Sequence, residues 1–300
     1  MRGLRALGAI LLVGLGTRAH AQVCTESRPC VTPIGLPMSS AAIGSHRMIL
    51  AGHELVWPSF IGVHTLDLVT GSSRSLAHCG TVIGDIAVVG AYVYVLADHA
   101  RLCRVPLASG AGVQRMVEAV DAVVEGFGVS SSAIAWSFRA RGEQPELRVM
   151  QWNGQSRSFP TAVTVEHVVV DATTIYWIDA GTLLRASIAT GAKTVGPTVA
   201  GHVRRLFVDR GAVYVATDRA IVKLTSNGRA WTTLASEGAD DLAVSGASVY
   251  WTSTAGGTVS KLGARAPLAT PHEPRALAID GASLFVAADD PLVIEQIAPR

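Results

Sequence analysis

The tightest constraint on this chain is a short pattern that recurs seven times. Each copy holds an apolar strand, a turn, a second strand ending in a large apolar residue, and a third strand closing on Gly. Taking that last large residue as an anchor gives Trp57, Val95, Trp136, Trp177, Val215, Trp251 and Val286, at intervals of 38, 41, 41, 38, 36 and 35 residues. A period in this range signals a solenoid or a propeller. The anchor segments read ELVW, VYV, AIAW, IYW, VYV, VYW and LFV, a β-branched and aromatic composition that favours strands over helices. The expected fold is all-β: a seven-bladed β-propeller of four-stranded blades.

The columns of the repeat carry the same expectation residue by residue. Five positions before the anchors lie Gly52, Gly90, Ser131, Ala172, Arg210, Gly246 and Gly281, the turns between first and second strands. Nine positions before them lie Met48, Ile86, Phe127, Val168, Leu206, Leu242 and Leu277, all apolar. Ala87, Gly128, Ala243 and Ala278 form a small column next to these, as close blade-to-blade contact requires. The chain stops where blade seven would begin its outer strand. Counting back from Trp57 therefore assigns residues 33–38 to that role, an N-terminal strand completing the last blade. Pro33 and Pro37 are tolerable on a sheet edge.

Residues 1–21 read as a secretory signal: Arg2 and Arg5, an apolar stretch from Ala6 to Gly16, and small residues at Ala19 and Ala21. Residues 22–46 are then an N-terminal segment containing the closing strand, and 47–300 the propeller. Signal removal takes three arginines and no acid, so 25 basic residues become 22 against 23 acidic ones. No strongly basic face follows, and nucleic acid is not an expected partner. No further apolar run is long enough to span a bilayer, so no membrane insertion is expected after cleavage. The basic residues are arginines apart from Lys193, Lys223 and Lys261.

Cys24, Cys30, Cys79 and Cys103 make an even count in a chain expected to be secreted or periplasmic, which reads as two disulfides. The spacings fit no zinc module. Blade geometry favours Cys24–Cys30 and Cys79–Cys103 among the three connectivities.

The runs Asp171-Ala-Thr-Thr-Ile-Tyr-Trp-Ile-Asp179 and Gly246-Ala-Ser-Val-Tyr-Trp-Thr-Ser253 resemble the Tyr-Trp-Thr-Asp repeats of lipoprotein-receptor propellers. They are similar also to uncharacterised secreted propellers of myxobacterial type. The resemblance spans roughly residues 45–300 and implies fold rather than activity. Receptor propellers of that kind have six blades against the seven counted here, so their mode of ligand binding is not carried over.

No nucleophile elbow, zincin helix, Walker loop, EF-hand loop or dinucleotide fingerprint occurs. No cofactor or metal is expected. The informative residues are those leading into each first strand: His46 and Arg47, Asp85, Glu125, Glu166 and His167, Arg204 and Arg205, Asp240 and Asp241, and Arg275. Every repeat places an ionisable group where the central channel of a propeller opens. Arg47, Asp85, Glu125, Glu166, His167, Arg204, Asp241 and Arg275 are the candidate ligand-binding set, for a protein or a small polar ligand. The expected function is an exported, non-enzymatic binding or scaffold propeller. The alternative is a propeller hydrolase or lyase with a metal or an acid–base pair, such as Glu166 with His167, in that mouth. Ser137–Glu146 reads as the longest loop between second and third strands, and Asp171, Asp209 and Asp280 as turn caps. Trp57, Trp136, Trp177 and Trp251 read as inter-blade core.

Overall fold

In the computed structural model, the described residues are 30–34, 47–59, 62–76, 79–108, 112–280, 283–288 and 293–298. They form seven antiparallel sheets. The inner strands are Ile49–Ala51, Ile83–Val89, Phe127–Val129, Val168–Val170, Val203–Asp209, Asp241–Ser245 and Pro274–Asp280, each paired with the strand that follows it. The nine-residue column is the cross-strand partner of the anchor: Ile86 faces Val95, Phe127 faces Trp136, Val168 faces Trp177, Leu206 faces Val215, Leu242 faces Trp251, and Leu277 faces Val286. Both members are apolar because both faces of each sheet are covered by neighbouring blades.

Seven separate hydrophobic clusters show that the blades close into a ring, one cluster at each blade boundary. Blade one meets blade two through Val56, Val63, Ile86 and Val95. The ring closes where Leu55, Trp57 and Leu66 pack on Ala278, Phe285 and Ile294 of blade seven. Trp57, Trp136, Trp177 and Trp251 are all buried in these clusters. Trp177 is 0% exposed, and burying such a side chain is worth about 3 kcal/mol. Gly128 explains the small column: a Cβ there would lie 2.8 Å from the Val168 carbonyl of the next blade.

Blade seven consists of Pro274–Asp280, Ser283–Ala288, Val293–Ala298 and the N-terminal strand Cys30–Ile34. The ring is thus closed by the N-terminal strand, but three residues earlier than the 33–38 span, with Cys30 opposite Ala298 and Ile34 opposite Ile294. In this register Ile34 packs against the cluster between blades seven and one. Pro33 sits on the outer edge of the sheet, where a missing ladder donor is tolerated. Blade six has the strands Asp241–Ser245, Ser248–Ser253 and Thr258–Lys261, and its outer strand is reduced to the bridge Val259–Ala269. Pro267 and Pro271 flank that bridge and supply no backbone N–H to lengthen it.

The blade-three link between second and third strands is shorter than Ser137–Glu146 but still the longest of its kind: the second strand runs Ala133–Ala140, pairing at its far end with Ala122–Val123, and residues 141–145 lead into Glu146–Gln151. Asp171 does cap its turn, its Oδ1 accepting the Thr173 and Thr174 N–H groups at 2.7 Å each. Cys79 and Cys103 form a disulfide with Cα atoms 6.0 Å apart, buried in the blade one–two cluster. The signal at 1–21 and the Cys24 half of the other pairing lie outside the described residues. Among the described residues, no helix is long and apolar enough to cross a membrane.

Candidate functional site

The residues ten and eleven positions before the anchors differ by one place in the chain and differ in what they do. The first of these columns holds Arg47, Asp85, His167, Arg205 and Asp241, and its side chains join one blade to the next. Arg47 Nη1 donates to the Ile86 carbonyl of blade two at 2.7 Å and lies 3.1 Å from Asp85 Oδ2. Asp85 Oδ1 in turn accepts the Ile86 N–H at 2.8 Å. His167 Nε2 lies 3.0 Å from the Val203 carbonyl of blade five. A carbonyl only accepts, so Nε2 carries the proton. Asp241 Oδ2 accepts the Leu277 N–H of blade seven at 2.8 Å. Arg205 Nε lies 3.3 Å from Asp241 Oδ1, a close pair of charges whose N–H is not aimed at the oxygen.

Burial sets the protonation behaviour of this girdle. It pushes the Arg47 guanidinium down to about 10, aided by the charge of Arg205 and opposed by Asp85 and Asp241. Burial also holds the His167 imidazole below the usual histidine range; Arg205 and Arg47 act the same way, while the Val203 carbonyl and Glu166 oppose them. Asp241 is raised by burial, against the pull of Arg205, the Leu277 and Leu242 N–H groups, and Arg47.

The second column lies on the rim. Glu125 is half-buried, while Glu166 and Arg204 are exposed. None of these three makes an ion pair within 4 Å among the described residues. Arg204 is aimed inward by a bulge: the pairing of blade five slips between Val203 and Arg205, so Arg204 is the extra residue. Bulges re-aim side chains in this way. Gly84 occupies the equivalent bulge of blade two. Gly126 and Ser137 seat Glu166. A Cβ on Gly126 would collide with the Val165 and Glu166 carbonyls, and Ser137 Oγ accepts the Val165 N–H at 2.9 Å.

Together these residues line an open cavity of about 180 Å³: Arg47, Gly84, Asp85, Glu125, Glu166, His167, Val168, Arg204, Arg205 and Leu206. Six of the eight residues singled out in the sequence thus converge on one cavity. Asp241 lies behind it, 1% exposed, and Arg275 pairs with Glu273 at 3.0 Å outside its lining. Arg205 belongs to the cavity but not to that set of eight; its place beside Arg204 in the repeat was the available signal. Among the described residues, no three His, Cys, Asp or Glu side chains group as a metal site would require.

No protein-family profile and no curated protein matches this chain. Solved structures do. BamB from Moraxella catarrhalis is 16% identical with a TM-score of 0.58, over 83% of this chain and 84% of that one. The extracellular domain of BT4673 from B. thetaiotaomicron is 12% identical with a TM-score of 0.62, over 88% of this chain and 40% of that one. A chain from a nidogen–laminin complex is 16% identical with a TM-score of 0.50, over 66% of this chain and 86% of that one. At these identities the likeness is one of fold. The chain is a seven-bladed β-propeller.

Proposed function

We propose that this chain is an exported, non-enzymatic binding or scaffold propeller whose channel mouth receives a protein segment or a small polar ligand. The observation that carries this reading is the cavity of about 180 Å³, into which the lead-in segments of blades one to five bring charged side chains from both signs. Building such a mouth from five blades takes a close approach at Gly126, a buried hydroxyl at Ser137 and a bulge at Arg204. Similar propellers occur as an extracellular domain and in a nidogen–laminin complex, and the Cys79–Cys103 disulfide suits an oxidising compartment.

The test is capture from an extracellular or periplasmic fraction by the immobilised, oxidised chain. It is compared with Glu166→Gln/Arg204→Gln in the mouth and with Arg141→Ala/Glu143→Ala on the exposed blade-three hairpin. Loss of the captured partner only in the mouth variant supports the reading. Equal capture by wild type and mouth variant overturns it, as does turnover of a captured small molecule.

A further inference from the structure

The cavity sorts its charges by blade. Around the ring, the acidic groups come from consecutive blades, Asp85 from two, Glu125 from three and Glu166 from four, while Arg204 and Arg205 come from blade five and Arg47 from blade one. His167 stands between the two arcs, held toward its neutral form. Among the described residues the lining therefore sums to no net charge but is strongly bipolar, with an acidic arc facing a basic one. A multiply charged anion or cation meets as much repulsion as attraction in such a site. A molecule with one charge of each sign meets complementary groups at both ends.

The groups without partners point the same way. Asp85 is taken up by Arg47 at 3.1 Å, which leaves Glu125 and Glu166 as the acidic arc's open acceptors. On the basic arc Arg204 has no ion pair, and the terminal nitrogens of Arg205 make no hydrogen bond among the described residues although Arg205 lines the cavity. A guanidinium presents paired N–H donors that match a carboxylate. The volume of about 180 Å³ is below the ~300–1,000 Å³ of drug-sized pockets, so the occupant is small.

We infer that the channel mouth is a binding site for a small zwitterion, its carboxylate on Arg204 and Arg205 and its ammonium on Glu125 and Glu166. The inference rests on the binding reading above and names the ligand class within it.

The test is calorimetric titration of the oxidised chain with glycine, β-alanine and γ-aminobutyrate, and with acetate, methylammonium and inorganic phosphate as single-charge and anionic probes. At least one zwitterion is expected to bind tenfold or more tightly than acetate and methylammonium. Glu166→Gln is expected to weaken it at least tenfold without weakening acetate; Arg204→Gln is expected to weaken it without weakening methylammonium. Both side chains are exposed, so both variants keep the girdle and the fold. Acetate, phosphate or methylammonium binding as tightly as every zwitterion overturns the inference, and so does the absence of heat from all six. If that absence accompanies protein capture that the mouth variant abolishes, the zwitterion assignment falls and the binding reading stands. If mouth variants alter neither, both fall.

Discussion

Ser137 Oγ accepts the Val165 backbone N–H at 2.9 Å, and Ser137 is 0% exposed. This bond joins the second strand of blade three to the segment leading into blade four, one residue before Glu166. Ser137→Ala leaves a buried donor without a partner, which costs about 1–3 kcal/mol. A lower midpoint in urea, together with weaker ligand binding, is the expected result. An unchanged midpoint would show that the Val165 N–H finds another acceptor.

Gly126 makes the neighbouring contribution by what it lacks. A methyl group there would meet the carbonyls of Val165 and Glu166, backbone atoms that no rotamer change can move. Gly126→Ala should part blades three and four locally and cost on the order of 1–3 kcal/mol. Because the displaced carbonyl belongs to Glu166, the loss of affinity should exceed that of Gly112→Ala, where nothing lies within 4 Å and the backbone is not left-handed. Comparing the two variants in one binding assay separates the site effect from any general effect of adding a methyl group.

The fold was legible because a propeller writes the same blade repeatedly. A column such as Ile86, Phe127, Val168 and Leu206 has one structural meaning wherever it occurs, and register follows from the pairing with each anchor. The channel mouth was legible for the same reason, as charge at a fixed offset. The division into girdle and rim was not. Whether Asp241 faces the cavity or lies beneath it depends on its contacts with Arg205 and the Leu277 N–H, which join blades five, six and seven and leave no mark in local sequence. The closing strand was displaced from the counted span because no hairpin links it to its partner Val293–Ala298, so its register is not written in local sequence.

The Cys79–Cys103 disulfide closes a loop of 24 residues through the blade one–two boundary. Chain entropy alone gives such a crosslink about 3 kcal/mol. For a domain of this size that corresponds to roughly 5–10 °C in melting temperature. Cys79→Ala/Cys103→Ala is the expected equal of full reduction at this bond. Scanning calorimetry checks it, and a melting temperature unchanged to within a degree would show that core burial already holds the boundary.

His167 gives the fold a specific response to mild acid. Its folded pKa lies below the ordinary histidine value, so the stability it contributes is fully present above that ordinary value and is lost as pH falls through the folded pKa. Asp241 is shifted upward and acts oppositely: its contribution is present below the ordinary carboxylate pKa and lost as pH rises through its own. As pH falls from about 7.5 to about 5.5 the histidine contribution declines by no more than about 1.4 kcal/mol per pH unit, and the comparison with a His167 variant isolates it from Asp241. His167→Gln keeps a side-chain donor for the Val203 carbonyl and should flatten the decline. Urea titrations of both proteins across that window decide it; parallel declines would assign the effect to another group.

Asp241 holds two neighbours at once, the Leu277 N–H at 2.8 Å and the Arg205 guanidinium at 3.3 Å, in a site where it is 1% exposed. Removing one partner of a buried pair leaves the other charge without compensation, a loss of about 3–5 kcal/mol. Asp241→Ala strips both Arg205 and the Leu277 N–H and should fall in that range. Asp241→Asn keeps an acceptor for Leu277 and loses only the charge, so it should be distinctly milder. It should also free the Arg205 side chain from its place on the basic arc and weaken carboxylate binding more than its effect on stability suggests. Equal stability losses in the two variants would mean that the charge, not the backbone bond to blade seven, is what Asp241 supplies to the ring.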